Sequence, residues 1–214
     1  MTILRTFHNQ DLRLTHDGKQ SLYLYTPWNA CNLNCYKCYV RSHLDQFNDY
    51  LTLEELKNLL KRYKALNVDL VTISGGEPLI FVDQLKDLIK LIKSYGFNIR
   101  IETNGALPDN LMKIYDIVDG IDLSLVLPMN LNKSRYDVYK EILFSSHDYD
   151  DKCLETYHKN LYKSFDFLCS STKLPLNILH TTRYPQYNLS DIHALNLTAS
   201  LCKYPHYWTE FLER

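Results

Sequence analysis

Two rhythms of apolar and polar positions alternate along this chain. Short apolar runs, rich in aromatic and β-branched residues, are separated by longer stretches whose apolar residues recur three and four apart. Ser21–Trp28 (SLYLYTPW), Asp69–Ser74 (DLVTIS), Asn98–Glu102 (NIRIE), Ile121–Leu127 (IDLSLVL), Leu176–Thr182 (LNILHTT) and Tyr207–Leu212 (YWTEFL) read as strands. Between the first two, Thr52 opens a helix, with Glu55 three residues on completing a capping box. Leu53, Leu56, Leu59, Leu60 and Tyr63 form its apolar stripe. A second helix runs from Val82 to Tyr95 through Leu85, Leu88, Ile89 and Ile92, with Gly96 at its C-cap. Asp109 can cap a third, through Leu111, Ile114, Tyr115 and Val118, stopping near Gly120. Further helices are expected from Leu154 to Cys169 and from Ser190 through Ile192, Leu195 and Leu201. Pro128 to Asp151 is less regular, with a short helix near Tyr136–Phe144.

Strands alternating with helices predict βαβ units, a parallel sheet and right-handed crossovers. The 214 residues are too few for an eight-unit barrel, which needs about 250. Six units predict an α/β fold with an open, partial barrel, formed by a single domain over residues 1–214. In such sheets the chemistry sits at the C-terminal ends of the strands.

Composition narrows the function. With 45% apolar and 23% charged residues the chain can build a core, which excludes disorder, collagen and coiled coil. Net charge is -1 and no basic run stands out, so no nucleic-acid partner is expected. No apolar run approaches the roughly 18 residues of a membrane span. The first twenty residues hold no signal-peptide stretch. A soluble, cytoplasmic protein is expected, with its six cysteines reduced.

Three of those cysteines cluster directly after the first strand, as Cys31-Asn-Leu-Asn-Cys35-Tyr-Lys-Cys38. Three thiolates in eight residues can converge on one metal site. They are one ligand short of a closed zinc site and of the four thiolates of an ordinary [4Fe–4S] cluster. An open position is what a catalytic metal needs; a structural zinc knuckle completed by His43 or a distant residue is the alternative. Cys153, Cys169 and Cys202 are isolated and read as buried core residues.

Two further strand ends carry polar and glycine residues. Ser74-Gly75-Gly76-Glu77-Pro78 lets the backbone approach a ligand, and Glu77 can accept from a cationic amine. Glu102-Thr103-Asn104-Gly105 points polar side chains at the same rim.

CNLNCYKC with its three-two spacing, SGGEP and ETNG together resemble the radical S-adenosylmethionine (SAM) superfamily. The resemblance is clear over residues 21–127 and looser over 128–214. It implies a partial (β/α)6 barrel in which Cys31, Cys35 and Cys38 hold a [4Fe–4S] cluster. SAM would chelate the remaining iron through its amino and carboxylate groups. Gly75, Gly76 and Glu77 would meet the methionine amino end, and Thr103 and Asn104 the ribose or carboxylate. Reductive cleavage of SAM would yield a 5′-deoxyadenosyl radical that abstracts a substrate hydrogen. Lys37 stands where the family has an aromatic residue against adenine; Tyr36 or Tyr39 is expected to supply the ring. The short chain is most similar to activating enzymes of glycyl-radical proteins. This implies a glycyl-radical protein substrate and a flavodoxin- or ferredoxin-type electron donor. Two features depart from those enzymes. Leu127-Pro128-Met129 lacks the Lys of their Asp-x-Lys, and His180, a candidate SAM contact, replaces an Arg. Action on a small molecule or peptide, as in 7-carboxy-7-deazaguanine synthases, is the alternative within the family. The rival of another class is a non-catalytic zinc or iron–sulfur module. The 128–151 stretch leaves a C-terminal strand end beside the proposed SAM site and is expected to shape substrate access or dock a partner, with the cluster and SAM residues elsewhere; a surface insertion is the alternative.

Overall fold

The computed structural model describes residues 12–44, 50–171 and 174–211. Seven strands form one sheet in chain order: β1 (Leu12–Leu14), β2 (Gln20–Thr26), β3 (Leu70–Gly75), β4 (Asn98–Thr103), β5 (Gly120–Ser124), β6 (Ile178–Arg183) and β7 (His206–Glu210). β1 pairs antiparallel with β2, and all later pairs are parallel. Among the described residues β1 and β7 are the two edges and do not pair with each other, so the barrel is partial. The helices are α1 (Tyr39–Leu44), α2 (Leu53–Ala65), α3 (Val82–Ser94), α4 (Pro108–Ile114), α5 (Tyr136–Phe144), α6 (Asp151–Ser170) and α7 (Leu189–Ser200).

Alternation along the strands gives the sheet two different faces. Leu22, Leu24, Val71, Ile73, Ile99, Ile101, Ile121, Leu123 and Leu179 form the apolar set and join the core beneath the helices. The opposite parity holds Tyr23, Tyr25, Thr72, Ser74, Arg100, Glu102, Asp122, Ser124 and His180. A parallel sheet covered on both faces would be apolar on both. Here much of the inner face is polar yet buried, its groups paired with one another, and of these residues Ser124 and His180 reach a cavity.

The hairpin β1–β2 seals the N-terminal end of the barrel. Its turn contains Asp17-Gly18, with Gly18 at φ 75°, a dipeptide typical of tight hairpins. The fully buried Arg100 donates to both oxygens of Asp17, at 2.7 and 2.9 Å, and to the Leu176 carbonyl at 2.9 Å. A charge this deep is tolerated only when paired and hydrogen-bonded on all sides.

Helix boundaries follow local chemistry. Thr52 and Glu55 form the reciprocal capping box of α2, and the apolar stripe of α3 is buried as its spacing requires. Elsewhere the expectations need correction. α4 starts at Pro108, whose fixed φ suits the first helical position. Asp109 therefore lies inside the helix and pairs with Lys163 at 2.7 Å instead of capping. α7 is capped by Asn188, reciprocally with Asp191, and not by Ser190. The first predicted strand stops at Thr26, since Pro27 has no N–H to continue the ladder. The antiparallel β1 adds a strand to the six expected. The proposed end of the last strand at Leu212 lies outside the described residues.

The cysteines outside the cluster also depart from expectation. Cys153 is exposed, not buried. Cys169 and Cys202 form a disulfide, because the C-terminal ends of α6 and α7 bring their Cα atoms to 5.2 Å. Their separation of 33 residues gave no sign of this. Among the described residues no helix is long and apolar enough to cross a membrane.

Candidate active site

At the C-terminal ends of β2, β3 and β4 three loops meet over a cavity of about 380 Å³. Cys31, Cys35 and Cys38 line it together with Gly75, Gly76 and Asn104. Tyr36, Tyr39, Tyr184 and Phe211 supply aromatic wall, and Arg13, His16 and His180 lie on its polar side. All three cysteines are free thiols, none of them fully exposed.

The cysteine loop is held from outside by α5. The N–H of Asn34 donates to the Leu143 carbonyl at 3.1 Å, and that of Tyr36 to the Ile142 carbonyl at 2.8 Å. The Asn34 amide reaches the Phe144 carbonyl at 3.3 Å, and the Ser145 hydroxyl returns to the Asn34 carbonyl at 2.7 Å. Arg41 donates to the Asn34 side chain. The last carbonyls of a helix have no partner inside it. Here they template the loop between the first two cysteines. The expectation that 128–151 stands apart from the cluster is thus corrected: its helix, with Tyr139, Ile142 and Leu143 fully buried, is the loop's scaffold.

The glycine turn is shaped by close approach. Gly75 has φ 116°, and a Cβ there would lie 2.4 Å from the backbone N and O of Thr26. At Gly76 a Cβ would meet the Pro27 carbonyl at 2.4 Å and the Cys31 N at 3.2 Å. Both glycines let the β3 turn press against the start of the cysteine loop.

Glu77 takes a different place from the one its sequence suggested. It is fully buried and does not line the cavity. Its carboxylate accepts from the Thr103 hydroxyl at 2.8 Å, the Asn104 N–H at 2.9 Å and the Leu79 N–H at 3.1 Å. Burial nevertheless pushes its carboxyl up to about 7. Thr103 is buried too, so this pair sits behind the surface and aims Asn104. The Asn104 side chain donates to Asn32 at 2.8 Å and lies 4.0 Å from the Cys31 sulfur. Tyr157 and Ser164 of α6 hold the same turn through the carbonyls of Asn104 and Gly105.

The thiols suit a metal better than a nucleophile. Burial pushes Cys31 up to about 11 and raises Cys35 further. Thiols raised in this way are inert alone, and they become thiolates when a metal supplies the positive charge. His43, the proposed fourth zinc ligand, has its side chain outside the described residues. Lys37 sits at φ 41°, with its ammonium 5.5 Å from the Tyr36 ring. Tyr36 in turn stacks on Phe211, centroids 5.8 Å apart, so the aromatic wall forms despite the lysine.

Sequence reasoning missed part of the polar side. His180 does line the cavity, but its Nδ1 donates to Asp122 at 2.6 Å, and His16 donates to the other Asp122 oxygen at 2.8 Å. Burial works against the Asp122 charge, and the two imidazoles more than offset it, holding the carboxyl well below its usual range. His16 lies in a hairpin turn and Asp122 on the polar face of a strand. The Asp17-Gly18 turn signal could have placed His16, and the predicted strand Ile121–Leu127 already placed Asp122 on the face opposite Ile121 and Leu123; nothing local pairs the two.

The geometry can be set beside known proteins. A model of the radical SAM superfamily matches residues 25–150. A 7-carboxy-7-deazaguanine synthase of Hyperthermus butylicus is 34% identical over 105 residues, 46% of this chain and 43% of that protein. A Methanocaldococcus jannaschii protein named as a glycyl-radical enzyme activating enzyme is 28% identical over 116 residues, 53% of this chain and 44% of that one. The chain therefore spans less than half the length of these curated relatives. A solved structure of TYW1 with a lysine-pyruvate adduct bound superposes with a TM-score of 0.53 at 18% identity, covering 90% of this chain and 65% of that one. That likeness concerns the fold alone. The family match takes in the cysteine loop, the glycine turn and the Asn104 turn that enclose the cavity, and the chain belongs to the radical SAM superfamily.

Proposed function

We propose that this chain cleaves SAM reductively on a [4Fe–4S] cluster held by Cys31, Cys35 and Cys38. The observation that carries this reading is the convergence of three free, non-exposed cysteines with Gly75, Gly76 and Asn104 on one cavity. Held by Cys31, Cys35 and Cys38, such a cluster would supply the electron for reductive cleavage of bound SAM. The residues of the chain bind, orient and shield. Asn104 and the backbone of the Gly75-Gly76 turn face the methionine end of SAM. Glu77 and Thr103 act through Asn104, as positioning residues. Tyr36 with Phe211 offers an aromatic surface to the adenine. The polar inner face below, closed by the Arg100–Asp17 pair, keeps solvent from entering through the N-terminal end of the barrel.

The substrate is a glycyl-radical protein, with an electron delivered by a flavodoxin or ferredoxin. The likeness to the named activating enzyme of M. jannaschii supports the protein substrate, and the electron donor follows from the need for a one-electron reductant. The likeness to a 7-carboxy-7-deazaguanine synthase favours a second reading, a small-molecule substrate. The core reaction is tested by anaerobic reconstitution, reduction and measurement of 5′-deoxyadenosine. Wild type is expected to form it and Cys31→Ala, Cys35→Ala and Cys38→Ala are not. Product formation by any of the three variants at the wild-type rate refutes the reading. The substrate is tested by mixing the reduced enzyme, SAM and a candidate glycyl-radical protein. A glycyl-radical EPR signal supports activation. Turnover of a deazapurine precursor without one supports the second reading.

A further inference from the structure

Among the described residues one group of three His, Cys, Asp or Glu side chains brings its donor atoms together closely enough to hold an ion, and it is separate from the cysteines. His16, Asp122 and His180 each offer a donor atom, and these atoms lie within 4.8 Å of one another. We propose that these three residues form a second metal site that takes a divalent transition ion such as Zn²⁺ or Fe²⁺.

The donor set points to this class of ion. Two imidazoles and one carboxylate suit zinc and iron, whereas magnesium and calcium favour oxygen donors throughout. The set also contains no thiolate, so it differs in kind from the cysteine site. Convergence here is a property of the fold, because His16 and Asp122 are 106 residues apart and His180 and Asp122 are 58 apart.

The three residues stand on rigid supports, as a metal site requires. Asp122 is fully buried within β5, and His180 is on β6, the adjacent strand, opposite Ser124. His16 is fixed by its neighbours in the hairpin turn. Thr15 bonds the Asp17 carboxylate at 2.6 Å, and Asp17 grips Arg100. The two imidazole rings are 4.0 Å apart, both turned by Nδ1 toward the same carboxylate.

Hydrogen bonds now hold the donors at 2.6 and 2.8 Å. Donors around a tetrahedral zinc ion with bonds of about 2.0–2.2 Å stand about 3.3–3.6 Å apart, so each pair opens by less than about 1 Å when the ion enters. An ion entering between them takes the place of the two Nδ1 protons. A neutral imidazole moves its proton to Nε2, and a protonated one releases its Nδ1 proton. Both histidines line the cavity, so coordination positions remain open to a ligand from that side.

The test uses the holoprotein, reconstituted anaerobically so that the cysteines are occupied by iron. Zinc sulfate is titrated against a chromophoric chelator, and zinc and iron are both measured per chain. Wild type is expected to take up about one zinc ion per chain with its iron unchanged. His16→Gln and His180→Gln are expected to weaken uptake by more than the roughly 10–100-fold that loss of an outer-shell partner costs, again with iron unchanged. His16 is partly exposed in a turn, so its variant keeps the test meaningful if a strand substitution misfolds. Equal uptake by wild type and both variants, no uptake by wild type, or uptake only at the expense of iron overturns the proposal. The iron count and the zinc count are read separately, so failure of this site leaves the cluster assignment untouched.

Discussion

Glu77 and Asn104 are close together and are predicted to do separable work. Glu77→Ala strands the buried Thr103 hydroxyl and two backbone N–H groups. Each orphaned buried donor is costly, so the variant should lose about 2–4 kcal/mol in chemical denaturation. Asn104 is partly exposed at the cavity, and Asn104→Ala should leave the denaturation midpoint nearly unchanged while weakening SAM binding. A stable Glu77→Ala protein would show that its three hydrogen bonds matter little. At this scale the sequence was informative about residue type but not about direction. SGGEP announced a ligand-binding turn, yet nothing in it distinguishes a glutamate that meets the ligand from one buried behind it. That difference is set by whether β4 offers donors to the carboxylate, a tertiary fact.

α5 is the element whose role changed most between sequence and structure. Its apolar spacing marked a short helix at Tyr136–Phe144, and the helix is there. The irregular segment around it looked like a loop that could be shortened. Its C-terminal carbonyls, however, receive the N–H groups of Asn34 and Tyr36, contacts more than 100 residues distant in sequence that no local pattern reveals. Replacing 130–149 with a Gly-Ser linker is therefore predicted to lower the iron content after reconstitution sharply, and not merely substrate turnover. Full iron loading of the shortened protein would contradict this. The strand–helix alternation from β2 to β7 was readable, because most of the helices bury an apolar stripe and the strands are short apolar runs, whereas β1 and α1 were not anticipated. What was misplaced were helix starts at Asp109 and Ser190, where Pro108 and Asn188 compete more strongly for the same ends.

Across the whole molecule, the barrel depends on a polar plug as much as on its apolar core. Burial raises the cost of the Asp17 charge, and the Arg100 guanidinium and Thr15 hydroxyl more than compensate, so its carboxyl is lowered. A carboxyl lowered in the folded state stabilises the fold above its unfolded value of about 3.9, and the benefit is lost as pH falls through the folded value. Acid unfolding should therefore steepen below about pH 4. Asp17→Asn should remove that component and, by leaving Arg100 buried without its counter-charge, cost about 3–5 kcal/mol at neutral pH. Equal acid profiles for the two proteins would count against the plug. Above this plug, in the proposed function, three cysteines leave one position of a cluster open for SAM. The most direct measurement is the EPR spectrum of the reduced, reconstituted protein with and without SAM. A cluster signal whose g-values shift when SAM is added is expected, and no such signal in Cys35→Ala. A signal indifferent to SAM at saturating concentration, or a colourless protein carrying only zinc at its cysteines, would contradict it.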